Sequence, residues 1–306
     1  MASTSHAAKD RHVSESGYAL FLIPGLIGFA LVVLLPFLMN LGISFTRWKG
    51  IGMPTFIGID NYARLIRDGT FWAAFQHSIA AVIAMAAIPT ALGLFLAAVL
   101  YDYVAPRFGG KISSWLRAGF YLPQILPIAV AGVLWGWILS PIGVLNEVLK
   151  AVGLGALAHN WLGDPSTALL SVMAVMVWLQ VGYALVVFMS GLARVDPSLY
   201  EAAELDGAPW LSRFRHITIP MLKPEIFVVG LTTTIAALKV FAPVYVLTSG
   251  GPDNATNVPS YFAYYHFFTT NRVGYGAAIS SVQMLITLVL GLVFLRVQAR
   301  QTEGER

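Results

Sequence analysis

The chain contains no cysteine, which excludes disulfides, thiolate metal sites and cysteine nucleophiles. Charge is almost as scarce, with Asp, Glu, Lys and Arg making up 11% of 306 residues. No G-x-x-x-x-G-K-[S/T] run occurs, so a nucleotide that drives this protein is bound on another chain. The six histidines, His6, His12, His77, His159, His216 and His266, are scattered without metal-ligand spacing. No soluble catalytic domain, low-complexity tract or internal repeat is visible.

What fills the chain is apolar. Hydrophobic residues make up 57% and the mean hydropathy is +0.72, a composition that ordinary soluble domains do not have. A hydrocarbon core of ~30 Å asks for roughly 20 apolar residues per helix. Six runs meet that length, at about Ala19 to Phe45, Ile79 to Leu100, Ala118 to Leu139, Thr167 to Leu192, Ile226 to Leu247 and Ala277 to Leu295. The first follows Lys9 and Arg11 as a signal peptide does, but it is too long and lacks a small-x-small cleavage site, so it reads as a retained helix. The expected fold is therefore an all-α membrane protein. It divides into a tail at 1–17, a six-helix transmembrane domain at 18–298 with a long loop at 193–219, and a second tail at 299–306.

Basic residues orient it. With the N-terminus inside, twelve basic residues lie inside, six outside (Arg47, Lys49, Arg64, Arg67, Lys150 and Arg272), and Lys239 lies within the fifth span. Both termini and the 193–219 loop are then cytoplasmic. The net charge of +4 follows from this bias and gives no reason to invoke nucleic acid as a partner; the partner it implies is the lipid bilayer.

The spans contain no Asp or Glu, which argues against a proton pump with its own carboxylate relay. They do contain Lys239, which needs water, a partner or a ligand, or else snorkels to the interface. Thr233, Ala237 and Val240 recur at helical spacing near it, and Gln180 and Tyr183 share a face of the fourth span. Together these residues line a polar path. The alternative is that the threonines bond their own helix backbone and that Gln180 and Tyr183 tie neighbouring helices together.

The loop carries the most specific pattern. Asp196-Pro197 is a helix start, the helix runs through Glu201, Ala202 and Ala203 to Leu205, and Gly207 stops it. Ala202 and Ala203 let another backbone approach, while Glu201 and Asp206 offer carboxylates to basic groups. This is a docking knob for a cytoplasmic partner; the alternative is an amphipathic helix lying on the membrane surface.

Glu201-Ala202-Ala203, Gly207 and then Ile217-Thr218-Ile219-Pro220, with isoleucine in a leucine place, resemble the cytoplasmic loop of permease subunits of binding-protein-dependent ABC importers. Leu22 to Gly25, Phe56 to Tyr62, Tyr121-Leu122-Pro123, Trp161 to Pro165 and Leu247 to Pro252 are similar to the sugar-importing subgroup of the maltose and glycerol-phosphate type. The resemblance implies a type I importer permease fold in a bacterial inner membrane. It implies a second permease, distinct in sequence, two ATPase subunits that carry ATP and Mg, an extracytoplasmic binding protein and a sugar substrate, most simply a neutral di- or oligosaccharide. An anionic sugar or glycerol phosphate is the alternative solute, and an ion-gradient carrier the competing class. No cofactor and no catalysis are expected on this chain. The resemblance makes Glu201, Ala202, Ala203 and Gly207 ATPase-docking residues, supported by Asp206 and Arg213. It makes Gln180, Tyr183, Thr233, Ala237 and Val240 pathway residues, to which Lys239 is added by its burial in a span.

Overall fold

The computed structural model describes residues 15–304 of the chain. Of the tails expected at 1–17 and 299–306, residues 1–14 and 305–306 lie outside the described residues, including Lys9, Arg11 and Arg306. Among the described residues, four helices are long and apolar enough to cross a bilayer: α1 (Phe21–Ser44), α3 (Gly69–Phe108), α7 (Pro165–Leu192) and α13 (Val273–Val297). Short elements lie between the first two, a two-stranded antiparallel hairpin of β1 (Thr46–Arg47) and β2 (Thr55–Phe56) followed by α2 (Asp60–Arg67).

Two of the six expected spans are not single helices. The run at Ala118 to Leu139 divides into α4 (Gly110–Ile125) and α5 (Ile128–Ile138), bent by 97°. The cause is Pro127: the residue before a proline is pushed out of the helical region, and Leu126 is extended at φ −65°, ψ 133°. Its amide still reaches the Pro123 carbonyl at 3.2 Å.

The run at Ile226 to Leu247 divides too. It is preceded by α6 (Val144–Ala151) in the 140–166 connection, α8 (Pro197–Leu205) and α9 (Trp210–Met221), which meets α10 (Lys223–Leu238) at 70°. Lys239, Val240 and Phe241 are non-helical before α11 (Ala242–Leu247) resumes. Pro243 has no amide for the carbonyl of Lys239 and its ring crowds that position. One carbonyl freed by the break, that of Leu238, is taken by the Gln283 side chain of α13 at 2.7 Å, which also donates to Ser260 Oγ at 2.6 Å. A break within an apolar helix calls for such replacement bonds.

Packing centres on α3, α7 and α10, with α3 and α7 in the most extensive contact. Small residues set the closeness: a Cβ on Gly93 of α3 would lie 2.6 Å from the Ala184 Cβ of α7, and Gly182 of α7 faces the backbone of Phe120 and Tyr121 in α4. Around the Gly93 crossing, Leu94, Leu185, Phe188, Leu222 and Val229 form one apolar cluster; farther from the loop Met85, Val172, Met176, Ala237 and Val244 form another.

Beyond α5, the Trp161 to Pro165 segment is held by Asn146, whose side chain accepts from the Trp161 indole at 2.8 Å and donates to the His159 carbonyl at 2.8 Å. Asp164 then caps α7 by accepting from the Ser166 amide at 2.8 Å. The last α-helix before α13 is α12 (Pro259–Tyr264), which continues into a π turn at Tyr265–Thr269.

Candidate functional site

The 193–219 loop folds as the sequence predicts and adds attachments that the pattern does not contain. Asp196 caps α8, accepting from the Ser198 amide at 2.9 Å, a bond that holds its carboxyl below the usual carboxylate range. At the other end the Ala208 amide reaches the Ala203 carbonyl at 2.9 Å and the Gly207 amide reaches that of Glu204 at 3.0 Å. This is a Schellman closure, and it requires the positive φ of +74° that Gly207 adopts. Glu201, Ala202, Asp206 and Gly207 are exposed on the finished helix and Ala203 is half-buried. Nothing lies within 4 Å of a Cβ built on Gly207.

Three bonds tie this exposed helix to the bundle. Arg213 pairs with Glu204, bridging α8 to α9. Tyr200 Oη lies 3.0 Å from Thr218 Oγ1. Trp210 stacks on Phe214 with centroids 5.1 Å apart and donates its indole N–H to Asp102 at the end of α3 across 2.8 Å. Asp102 lies within a wide π turn at Leu100–Val104, and Trp210 opens the helical turn Trp210–Arg213 that runs into a second one at Phe214–Thr218, a local geometry that recurs at functional positions. Burial raises the Tyr200 phenol above its ordinary value, so it stays a neutral hydrogen-bonding group. The loop helix is thus an exposed face bonded to α9 and, through Trp210 of α9, to the end of α3.

At the far end of α10 from this loop, the break opens a cavity of about 460 Å³ lined by Gln124, Gln180, Lys239, Phe241 and several apolar side chains, among them Met176, Leu179 and Val240. Lys239 is exposed at the break rather than buried within a continuous fifth span, and among the described residues no carboxylate lies within ion-pair distance of it. Cation and amides face one space between α4, α7 and α10.

The expected pathway residues divide on this geometry. Gln180, Lys239 and Val240 line the cavity. Tyr183 lies nearer the loop, where its hydroxyl accepts from Thr232 at 3.2 Å. Thr233 and Ala237 are fully buried: the Thr233 hydroxyl bonds the Val229 carbonyl at 2.7 Å and Ala237 sits in the apolar cluster with Met85 and Val172. The helical period assigns Ala237 and Val240 a common face, but the break at Lys239 ends that period between them. Gln124 and Phe241 were not legible as cavity residues, because each owes its position to a proline-induced break. Asp102 and Trp210 carried a weak signal: a lone carboxylate just past an apolar run, and a tryptophan after Pro209.

The family model for the binding-protein-dependent transport system inner membrane component matches residues 107–303. The probable ABC transporter permease protein YurN of Bacillus subtilis is 38% identical over 276 residues, 90% of this chain and 93% of its own. The lactose transport system permease protein LacF of Rhizobium radiobacter is 32% identical, covering 96% and 97% of the two chains. The trehalose/maltose transport system permease protein MalF of Thermococcus litoralis is 31% identical, covering 93% and 94%. A chain of a bacterial ABC transporter involved in the import of the acidic polysaccharide alginate superposes with a TM-score of 0.79 at 22% identity, covering 93% of this chain and 95% of that one. The chain belongs to the family of binding-protein-dependent transport system inner membrane components, the permeases of ABC importers. Its fold is that of such a permease, and it is a membrane transport component rather than an enzyme.

Proposed function

We propose that the chain forms half of a sugar pathway, driven by ATP hydrolysed on separate subunits. In this reading each bent pair counts as one crossing, giving six spans and cytoplasmic termini, and the 193–219 loop faces two ATPase subunits, one of which receives α8. The observation that carries it is the exposed Glu201–Gly207 face on a helix bolted through Trp210, Arg213 and Tyr200 to the bundle. Glu201, Ala202, Ala203 and Gly207 form the contact, Asp206 extends it, and Arg213 positions it through Glu204. ATP and Mg belong to the partner subunit. Closure of the ATPases moves the loop helix as a lever and alternates the pathway between its two faces.

The sugar class rests on the relatives, named for lactose and for trehalose and maltose. A second structure of the alginate ABC transporter is described in complex with a pentasaccharide-bound periplasmic protein, at TM-score 0.80 and 22% identity. By analogy an extracytoplasmic binding protein delivers solute to this chain and to a second, distinct permease. A neutral di- or oligosaccharide is the first reading, with Gln124 and Gln180 offering amides and Phe241 a ring face. One observation favours an anionic sugar instead: Lys239 stands in the cavity without a carboxylate partner among the described residues.

Affinity purification of the tagged chain from a host expressing its genomic neighbours tests the assignment. An ATPase subunit and a second permease are expected with the native chain, and Glu201→Lys combined with Gly207→Pro should lose the ATPase alone. A native chain that comes down by itself, and that moves solute in vesicles on an ion gradient, would sink the proposal.

A further inference from the structure

A second polar cavity lies at the hairpin end of the protein and has no part in the pathway described above. It measures about 530 Å³ and is lined by Arg47, Lys49, Arg64 and Arg272, with Asp60 the carboxylate among its lining residues. The four cations come from three chain segments far apart in sequence, so their gathering is a product of the fold. They are four of the six basic residues that the positive-inside bias leaves on the outer side.

The walls are built rather than incidental. Asn61, buried beneath the cleft, donates to the Ser44 and Thr46 carbonyls at 2.8 and 2.9 Å. The Val273 amide reaches the Trp48 carbonyl at 2.9 Å, joining hairpin to α13. Arg64 is held 4.5 Å from the ring centroid of Tyr275. The nearby carboxylate of Asp68 is already engaged by the Tyr275 hydroxyl at 2.6 Å and the Thr70 amide at 3.0 Å. No ion pair involves any of the four cations among the described residues.

Beside this cleft the hairpin and the turn after it expose apolar side chains to an unusual degree: Ile51 is 90% and Met53 95% accessible, and Phe56 and Ile59 are exposed with them. The segment joins the end of α1 at Ser44 to the start of α3 at Gly69, two helices long and apolar enough to cross a bilayer, and in the transport reading it therefore lies at a bilayer surface. Cations grouped behind an apolar tip are what an interfacial segment presents to a charged leaflet.

We propose that this cleft holds the phosphate headgroup of an anionic phospholipid, with Arg47, Lys49, Arg64 and Arg272 receiving the phosphate and the Ile51 to Ile59 tip lying among the acyl chains. Guanidinium groups suit phosphate oxygens in paired hydrogen bonds. The concave shape takes a single headgroup, and the apolar rim distinguishes a lipid from a free phosphate. The proposal goes beyond the transport reading.

The test uses the full chain purified with its associated subunits in detergent, stripped of lipid and titrated with phosphatidylglycerol or phosphatidylcholine, with retained lipid counted by native mass spectrometry. Phosphatidylglycerol should be retained in preference to phosphatidylcholine. Arg64→Gln with Arg272→Gln, and separately Arg47→Gln with Lys49→Gln on the exposed hairpin, should each weaken retention about thirtyfold, the effect of removing two near-surface cations. Lys150→Gln, outside the cleft, should change nothing. The hairpin pair keeps the test decisive if the Arg64 variant fails to fold. Equal retention of the two lipids, or equal phosphatidylglycerol retention by native chain and hairpin variant, overturns the proposal. So does displacement of the lipid by inorganic phosphate, which would assign the site to a soluble anion. Weakened docking of the binding protein with lipid retention unmoved would assign it to an acidic protein surface. Lipid counts are read whether or not an ATPase co-purifies, so this outcome is separate from that of the importer assignment.

Discussion

Trp210 donates its indole N–H to Asp102 across 2.8 Å, joining two residues 108 positions apart in the chain. Through that bond the turn after the loop helix is fixed to the end of α3, which in turn packs along α7 and α10. Trp210→Phe keeps the stacking on Phe214 and removes only the donor. Leaving a half-buried carboxylate without its partner costs about 1–3 kcal/mol, read as a lower melting temperature of the purified assembly. ATP hydrolysis should continue while solute transport per ATP falls. Unchanged coupling would show that the bond holds the fold without transmitting motion.

Gly207 closes the loop helix with a left-handed backbone in open space. Gly207→Ala should therefore cost only the backbone term, roughly 1–2 kcal/mol for a side-chain-bearing residue in that conformation. The bundle should stay folded while ATPase co-purification weakens. A variant that binds the ATPase as well as the native chain would remove the Schellman closure from the docking surface.

Gly93 and Gly136 separate packing from composition. A Cβ on Gly93 would meet Ala184 and the Leu185 backbone, while one on Gly136 has nothing within 4 Å. Gly93→Val should destabilise by roughly 1–3 kcal/mol through overpacking, and Gly136→Ala should leave the monomer's thermal unfolding unchanged. The same melting temperature for both would mean that α3 and α7 do not cross there.

Lys239 tests what the cavity reads. If the solute is anionic, Lys239→Met should raise the apparent KM for transport at least tenfold, equivalent to about 1.4 kcal/mol. If the solute is neutral, transport should be retained, because Gln124 and Gln180 still line the space. Vesicle uptake with the cognate binding protein distinguishes the two.

His266, outside the spans, is 6% exposed and packs against Phe262 and Tyr275 at 4.6 and 4.9 Å. Burial, with the nearby Arg272 and Arg64, pushes its pKa from 6.5 down to about 4. The unfolded chain takes up a proton near pH 6.5 that the folded one refuses until about pH 4. The stability this site contributes is therefore present above pH 6.5, falls as pH drops through that window and is lost below about pH 4. His266→Phe should give a shallower loss of melting temperature between pH 7 and 4 than the native protein; parallel curves would contradict the shift.

The limits and contents of the loop helix were legible in the chain, because caps and a left-handed glycine act over four or five residues. Asp196, Pro197 and Gly207 specify them without help from elsewhere. The positions of the apolar runs were legible for the same reason: a hydrocarbon slab demands length and composition, both of which one strand of text displays. Pro127 and Pro243 were visible too, but whether a proline bends a span, as Pro127 does, or is absorbed within a helix, as Pro89 is, depends on what replaces its missing bond. For the α10 break that replacement is Gln283, 45 residues from the Leu238 carbonyl it serves. Thr233 and Ala237 illustrate the same limit, since helical spacing marks residues that share a face and only packing against α3 and α7 turned that face inward. The sequence by itself determined the membrane class, the apolar runs and the loop helix with its caps, all consequences of local chain chemistry. Tertiary structure decided the cavity around Lys239, the Trp210–Asp102 mount and the cationic cleft, because each depends on side chains brought together from distant segments by the way the helices cross.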